Sequence, residues 1–373
     1  MVSMKRLQYE FIKKDLAKKM VFLTGPRQVG KTFLALAIAR EFEKAVYLNY
    51  DNLADRAIIK QAAWLPDTEL LVLDELHKMA EWKNYLKGVF DTKSPFLQIL
   101  ITGSARLETF RQSGDSLAGR FFRHRLNPLS VVETGDGVNL DRLMERGGFP
   151  EPYLADTRQD ADRWRLQYID GLIRTDILDF EKVHDFRAIQ LTLDLLRHRV
   201  GSQLSYSSMA RDINCAPNTI KRYIEILEAL FIVFRIYPFH RNIARSLLKE
   251  PKIYFYDTGM VQGDDGIRFE NTVAVCLQKH LNALEDYEGR RTELMYLRTK
   301  EKKEVDFVLV TEEALPTMVE TKLSGTAVSP ALKSFHKKYD FPAIQIIKNL
   351  RQERLEGAIQ LRRAADFLKS LKM

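Results

Sequence analysis

After the apolar run Met20–Thr24 the chain reads Gly25-Pro26-Arg27-Gln28-Val29-Gly30-Lys31-Thr32-Phe33, and an amphipathic segment, Lys31–Glu43, follows. In a loop of this spacing the glycines let backbone N–H groups wrap around a β-phosphate, and the following helix adds the positive end of its dipole. We expect Lys31 to neutralise the β- and γ-phosphates and the Thr32 hydroxyl to bind Mg²⁺. The stretch therefore predicts an ATP site formed by residues 25–33.

A second motif, Leu70-Leu-Val-Leu-Asp74-Glu75, reads as an apolar strand that ends in two carboxylates. The carboxyl ends of parallel strands lie at one edge of a sheet, so Asp74 is expected beside Thr32. From there Asp74 would reach Mg²⁺ through water, and Glu75 would orient and deprotonate the attacking water. Both halves of an ATP-hydrolysing site are thus predicted from local sequence.

The first part of the chain alternates strand-like and helix-like segments. Further strands are predicted at Ala45–Asn49 and Phe96–Thr102. A fifth strand is predicted at Phe121–Leu126, where the apolar pattern is weaker. Strands separated by helices form parallel sheets that are covered on both faces, and continuous apolar runs fit that burial. The strand between the two motifs is typical of the ATPase branch that inserts a strand there.

Four further residues are considered for phosphate chemistry. Thr102 and Ser104 lie at the end of the fourth strand, where a hydroxyl could sense the γ-phosphate, although an ordinary strand-to-loop turn is the favoured interpretation. Arg120 is the first choice for an arginine finger that reaches a phosphate from a neighbouring subunit, and Arg123 the second. A surface arginine is the competing interpretation, so a homo-oligomer is a possible partner state.

Several of these pieces resemble a known family. The matching stretches are Gly25–Thr32, Asp74-Glu-Leu-His-Lys78, Thr102-Gly-Ser104 and Leu117-Ala-Gly-Arg120 running on to Asn127-Pro-Leu-Ser130, with later ones at Thr219–Glu228 and Lys252–Asp257. Together they look like the AAA-type ATPases of bacteria and archaea that carry a conserved, uncharacterised carboxy-terminal region. The resemblance covers most of the chain and implies ATP binding, but it names no pathway.

The composition is typical of a globular protein and not of a membrane protein. A 45% apolar and 29% charged chain of 373 residues is typical of globular protein with two or three domains. No apolar run approaches the roughly 18 residues that span a bilayer, and the amino terminus does not read as a signal peptide. Cys215 and Cys276 have no metal-binding or redox spacing. We therefore expect a cytoplasmic protein that does not associate with membranes.

The basic charge is concentrated in the middle of the chain. The net charge is +8, and between Arg187 and Glu250 ten Lys and Arg residues face five Asp and Glu. That stretch also reads as a helix-turn-helix, with a second helix from Pro217 whose exposed face shows residues 218, 221, 222 and 225. Such a winged helix would place this helix in the DNA major groove. A lid or packing role is the alternative, and it is favoured over base reading.

The last part of the chain carries the pattern of the PD-(D/E)xK nuclease fold. Glu270 lies on a predicted helix, Phe269–Leu281, Asp306 starts a strand, and Glu320 and Lys322 share a face of the next strand after a turn at Pro316. Glu270, Asp306 and Glu320 are expected to hold Mg²⁺, and Lys322 to position the attacking water or stabilise phosphorane charge. A helix at Pro330–Tyr339 and a strand at Ala343–Ile347 complete the predicted order.

These observations predict an α/β protein with three domains. Residues 1–135 form a parallel-sheet P-loop ATPase domain of AAA type, residues 136–255 a helical and winged-helix domain, and residues 256–373 a restriction-endonuclease-like domain. The leading hypothesis is an ATPase with ATP and Mg²⁺ as cofactors that acts on nucleic acid, DNA rather than RNA, and cleaves it. The alternative is a regulatory switch whose winged-helix and inactive nuclease-like domains bind a protein partner.

Overall fold

The fold was analysed in a computed structural model, which describes residues 6–103, 117–134, 140–172, 185–240 and 249–372. The chain separates into two compact units, Met1–Asn127 and Pro128–Met373. Within the described ranges no helix is long and apolar enough to cross a membrane. Ser104 lies outside the described residues.

The first unit is built on five strands with helices between them. The strands are β1 (Met20–Thr24), β2 (Ala45–Asn49), β3 (Leu70–Asp74), β4 (Gln98–Thr102) and β5 (Phe121–Arg125). The helices are α1 (Gln8–Leu16), α2 (Lys31–Ala39), α3 (Leu53–Gln61) and α4 (Trp82–Thr92). All five predicted strands are present, and α2 ends earlier than the predicted Glu43.

All strand pairs of this sheet are parallel, in the order β2-β3-β4-β1-β5. Every residue of β1 and β3 is buried, because helices cover both faces of these central strands, whereas β2 and β5 at the edges are partly exposed. The parallel α/β core predicted from the sequence is therefore confirmed. Its register aligns Asp74 with Thr102 at the carboxyl edge, the same edge at which β1 runs into the glycine loop.

The second unit begins with helices and ends in a sheet. Its described helices are α5 (Leu140–Arg146), α6 (Pro150–Leu154), α7 (Arg158–Gly171), α8 (Phe186–Arg197), α9 (Tyr206–Ile213), α10 (Pro217–Ala229), α11 (Asp265–Glu288), α12 (Pro330–Tyr339) and α13 (Ala364–Ser370). Its strands are β6 (Val233–Pro238), β7 (Lys252–Phe255), β8 (Thr292–Arg298), β9 (Glu304–Thr311), β10 (Ala314–Lys322), β11 (Ala343–Ile347), β12 (Arg354–Glu356) and β13 (Ile359–Arg363).

These eight strands form one mixed sheet in the order β12-β13-β11-β10-β9-β8-β6-β7. β8, β9 and β10 are antiparallel neighbours, whereas β11 pairs with β10 in parallel. β6 pairs in parallel with β8 through Tyr237 and Pro238 and antiparallel with β7. Strands on both sides of the predicted boundary at residue 255 therefore belong to one sheet.

Two local predictions in this unit need correction. The turn expected at Pro316 is wrong: Pro316 lies inside β10, where a register irregularity between Ala314 and Thr317 accommodates a residue without a backbone N–H. The helix that carries Glu270 is longer than predicted and runs from Asp265 to Glu288. The predicted elements Pro330–Tyr339 and Ala343–Ile347 are present with the same bounds.

Candidate functional sites

The loop between β1 and α2 has the backbone of a phosphate cradle. Gly25 has φ +141°, and a Cβ placed there would lie 2.3 Å from the carbonyl oxygen of Leu126, so no other residue fits without displacing that backbone. Gln28 and Gly30 also have positive φ values. Positive φ values at these three positions, directly before the amino end of α2, are typical of a loop whose N–H groups bind an anion.

Lys31 reaches back over the loop that it follows. Its ammonium donates to the carbonyl oxygens of Gly25, at 3.0 Å, and Pro26, at 2.6 Å, and the residue is buried. Among the remaining loop residues Val29 is fully buried. Phe33, in the first turn of α2, is 58% exposed. The positive charge is thus held at the phosphate cradle, where a triphosphate would meet it.

Asp74 is the centre of a hydrogen-bond cluster at the carboxyl edge of the sheet. The Thr32 hydroxyl donates to Asp74 Oδ2 at 2.9 Å, and the Thr102 hydroxyl donates to Oδ1. The structure therefore brings together Thr32, Asp74 and Thr102 from the three segments that the sequence singled out. The hydroxyl of Thr32 and the carboxylate of Asp74 are both oxygen ligands of the kind that Mg²⁺ takes when it binds together with ATP.

Tyr47 is a member of this cluster that the sequence reasoning missed. Its hydroxyl donates to Asp74 Oδ2 at 2.8 Å. Burial and the hydrogen bond to Asp74 raise the pKa of Tyr47 above its ordinary value. The signal lies in the strand register: β2 and β3 are parallel neighbours with Asn49 opposite Asp74, so a side chain two residues before Asn49 can face the carboxylate.

Glu75 follows Asp74 in a left-handed conformation, with φ 55°. Its N–H donates to the Thr102 carbonyl at 3.1 Å, which fixes this conformation between β3 and β4. Burial raises the pKa of Glu75, while the charge of Lys78 opposes the shift. His77 Nε2 lies 3.5 Å from Glu75 Oε2. A carboxyl of raised pKa beside the phosphate cradle has the properties of a general base.

Arg120 lies at the opposite edge of the same sheet. Its carbonyl accepts from Met20 N–H at the start of β1, about 15 Å of extended strand away from the glycine loop. Its guanidinium forms a bidentate ion pair with Asp91, at 2.8 and 3.0 Å. Arg120 therefore cannot reach the phosphate of its own ATP site, and only its proposed role across a subunit boundary remains as a prediction.

Helices α9 and α10 lie in the segment that was predicted to form a helix-turn-helix. Ser205 caps α9 by accepting from Ser208 N–H, and Asn214 ends it in a left-handed conformation. On α10 the predicted inner residues Ile220, Tyr223, Ile224 and Leu227 are buried, whereas Asn218, Lys221, Arg222 and Glu225 are exposed. The exposed face remains available for the predicted groove contact.

The carboxy-terminal carboxylates meet on neighbouring strands. The antiparallel register of β9 and β10 ends with Phe307 opposite Val319, and Asp306 and Glu320 are the next residues on the two strands. Asp306 Oδ2 accepts from the N–H and hydroxyl of Thr321 at 2.8 and 2.7 Å. Glu320 is 4% exposed, and its Oε2 atom has no hydrogen-bond partner in the described structure.

The four predicted residues of this site influence one another. Burial and the charge of Asp306 raise the pKa of Glu270 to about 7, and the same two causes raise the pKa of Glu320 to about 7. Lys322 Nζ lies 2.8 Å from Glu320 Oε1. No group of three or more His, Cys, Asp or Glu among the described residues is arranged to hold a metal ion. Two carboxylates with water ligands are nevertheless enough for Mg²⁺, which keeps several waters.

Family comparisons agree with the architecture of the first unit. Residues 17–135 match the family described as "AAA domain". Residues 138–267 and 265–364 match two families described as "Domain of unknown function", DUF8612 and DUF4143. The parallel sheet, the glycine loop and the Thr32–Asp74 pair all lie within the residues that match the first of these families.

The chain also resembles whole proteins. An uncharacterized protein of Mycobacterium tuberculosis is 27% identical over 331 residues, which cover 84% of this chain and 73% of that protein. An uncharacterized protein of Methanocaldococcus jannaschii is 22% identical over 363 residues, covering 87% and 79%. Among solved structures, the Walker-type ATPase of Pyrococcus abyssi is 15% identical with a TM-score of 0.46, over 70% of this chain and 94% of that chain.

Proposed function

We propose that this protein is a Mg²⁺-dependent ATPase that acts on DNA and cleaves it at the site in its carboxy-terminal unit. ATP hydrolysis is carried by one observation, the convergence of Thr32 and Asp74 beside Lys31 at a phosphate cradle. Action on DNA rests on a second, independent set: Asp306, Glu320 and Lys322 on adjacent strands, and the exposed polar face of α10.

At the ATP site each residue has a distinct role. Lys31 would leave its loop carbonyls to neutralise the β- and γ-phosphates, and Thr32 and Asp74 would hold Mg²⁺. Mg²⁺ bound there would neutralise charge on the phosphoryl oxygens. Glu75 takes the proton of the attacking water, because its raised pKa brings it closer to the working pH than an ordinary carboxylate.

At the carboxy-terminal site the chain offers a dense cluster of carboxylates and an ammonium. Asp306 and Glu320 would hold a divalent ion, and the orphaned, buried Oε2 of Glu320 is an acceptor that such an ion would satisfy. Bound Mg²⁺ would supply Lewis-acid stabilisation to a phosphodiester. Lys322, whose side chain is 46% exposed, would contact the phosphate and stabilise its developing charge.

The test is the rate of ATP hydrolysis with double-stranded DNA, single-stranded DNA, RNA or no nucleic acid. The proposal predicts that double-stranded or single-stranded DNA stimulates turnover more than RNA does. It also predicts Mg²⁺- or Mn²⁺-dependent cleavage that the Asp306→Ala protein lacks. Equal rates under all four conditions, with intact DNA, would refute the action on nucleic acid and leave the ATPase assignment in place.

A regulatory switch that binds a protein partner is the second candidate. It is favoured by the ion pairs that Lys252 and Lys322 already make with the carboxylates of the cluster, because lysines can neutralise such a cluster without a metal. In that case the carboxy-terminal unit would bind no Mn²⁺ and cleave nothing. Metal titration therefore separates the two candidates without knowledge of the partner.

A further inference from the structure

The carboxylate of Glu270 is engaged by residues that precede it in the chain. Tyr254 donates its hydroxyl to Glu270 Oε1 at 2.6 Å, and Lys252 Nζ lies 3.5 Å from the same oxygen. Gly201 faces this carboxylate, since a Cβ there would lie 2.8 Å from Oε1 and 3.2 Å from Oε2. The oxygens of Glu270 are therefore surrounded by protein on the side of β7.

Lys252 is a buried cation at the centre of the cluster. It is 1% exposed, and its Nζ atom lies 2.5 Å from Glu304 Oε1 in addition to its contact with Glu270. Burial lowers the pKa of Lys252, but the carboxylates of Glu270, Asp306 and Glu304 outweigh this effect and raise the pKa above its ordinary value. The ammonium is therefore held between the carboxylates of Glu270 and Glu304.

The ion pairs of the cluster show which carboxylate oxygens are already engaged by a cation. The cluster holds four carboxylates, Glu270, Glu304, Asp306 and Glu320, against the three cations Lys252, Lys322 and Arg298, the last paired with Glu304. The cations are bound to Glu270, Glu304 and one oxygen of Glu320. Among the described residues Asp306, whose Oδ2 accepts from Thr321, forms no ion pair, and the second oxygen of Glu320 has no hydrogen-bond partner.

We propose that Lys252 is a fixed internal cation of this cluster, so that the cluster binds a single divalent ion between Asp306 and Glu320, with Glu270 as a positioning residue. In two-metal sites the ions lie about 3.5–4 Å apart and share carboxylates. The ammonium of Lys252 takes the place of the second ion at Glu270 and Glu304. The inference rests on the metal site proposed above, although it does not depend on cleavage.

The experiment is titration calorimetry of the full-length protein with Mn²⁺ in the absence of nucleotide. All samples carry Asp74→Asn to remove the magnesium ligand of the ATP site. One ion per chain is expected, and Asp306→Asn or Glu320→Gln should weaken its affinity more than a hundredfold. Glu270→Gln should weaken it less than fivefold, because that carboxylate does not touch the ion.

Replacing Lys252 by a neutral residue should change the number of Mn²⁺ ions that bind. Lys252→Met should bind two Mn²⁺ ions, the second at Glu270 and Glu304, and the double variant Lys252→Met/Glu304→Gln should return to one. Lys303→Met, which removes an exposed lysine next to Glu304, is the matched control and should bind one ion like the parent. Circular dichroism of each variant reports whether it folds.

Three results would overturn the inference: two ions or none bound by the parent protein, or a loss of binding in Glu270→Gln as large as that in Asp306→Asn. If Lys252→Met does not fold, the Mn²⁺ affinities of Glu270→Gln and Asp306→Asn still test the inference. A much weaker affinity in Asp306→Asn than in Glu270→Gln supports it, and an equal loss overturns it. One bound ion without any DNA cleavage would refute the proposed nuclease and leave this inference standing.

Discussion

The Thr32 hydroxyl donates a 2.9 Å hydrogen bond to Asp74 Oδ2, although 42 residues separate them. β1 and β3 end at the same edge of the parallel sheet, with β4 between them. The two residues that we propose as magnesium ligands are therefore adjacent because of the fold. Tyr47 and Thr102 hold the same carboxylate from the neighbouring strands.

The first prediction concerns Tyr47. Tyr47→Phe removes one hydrogen bond from Asp74 and should raise the Mg²⁺ concentration needed for half-maximal ATP hydrolysis by about tenfold, as for other residues that orient a metal ligand. The measurement is a Mg²⁺ titration of ATPase rate. Tyr85→Phe is the control, since its hydroxyl donates to the Ile59 carbonyl. Identical titrations of the two variants would exclude this role for Tyr47.

The second prediction concerns Arg120. If it acts across a subunit boundary, Arg120→Ala should keep nucleotide affinity and lose at least about three orders of magnitude in hydrolysis. Mixing it with Lys31→Ala protein should restore part of the activity. Asp91→Asn, which breaks the ion pair and keeps the arginine, should remain active. A specific activity that is the same at every protein concentration would refute the trans role.

The third prediction concerns Lys322. Lys322→Ala should lower the rate of DNA cleavage by about two orders of magnitude, the effect of removing one donor that stabilises transition-state charge, while Mn²⁺ stays bound. Glu301→Ala changes an exposed charge near the cluster and should cleave normally. The readout is cleavage of a labelled duplex at saturating Mn²⁺. Equal loss in both variants would point to a general charge effect.

The fourth prediction concerns stability at acid pH. Burial, with the nearby charge of Lys372, lowers the pKa of His280 from 6.5 to about 4. The folded protein therefore favours neutral His280. The contribution of this group to the unfolding free energy is present above pH 6.5 and is lost as the pH falls towards 4. Between pH 7.5 and 5 the unfolding free energy should fall by about 2 kcal/mol through this group.

The variant His280→Asn isolates that contribution. Asn offers an oxygen to the Lys372 N–H that His280 Nδ1 accepts at 3.0 Å, and it does not titrate. Denaturant unfolding of both proteins at pH 7.5 and 5 gives the difference. The wild-type protein should lose about 2 kcal/mol more than the variant over this range. An equal loss in both proteins would contradict the buried, neutral state of His280.

Local patterns were sufficient to predict the parallel α/β core of the first unit. The glycine loop, the strand that ends in Asp74, and all five strands follow from runs of residues that are adjacent in sequence. The same holds for the helix Pro330–Tyr339 and the strand Ala343–Ile347. In each case the apolar pattern and the turn residues agree with the final fold, so tertiary contacts did not have to override them.

The features that were missed depend on contacts between distant segments. Tyr47 reaches Asp74 only through the register of two strands. Lys252 reaches Glu270 and Glu304 because β6 and β7 join the carboxy-terminal sheet. No local sequence pattern predicts that these two strands belong to this sheet. At Pro316 the turn signal of a proline was overridden by the pairing of β10 with β9 on both sides of an irregularity.

The central claim is that Glu75 drives ATP hydrolysis in a site where Lys31 binds the phosphates. Its most direct test is ATP binding and steady-state turnover of the purified Glu75→Gln protein, beside Lys31→Ala. Lys31→Ala should lose tight ATP binding. Glu75→Gln should bind ATP like the wild type and hydrolyse it at least about a hundredfold more slowly, the contribution of a positioned general base. Turnover by Glu75→Gln at the wild-type rate would contradict the account.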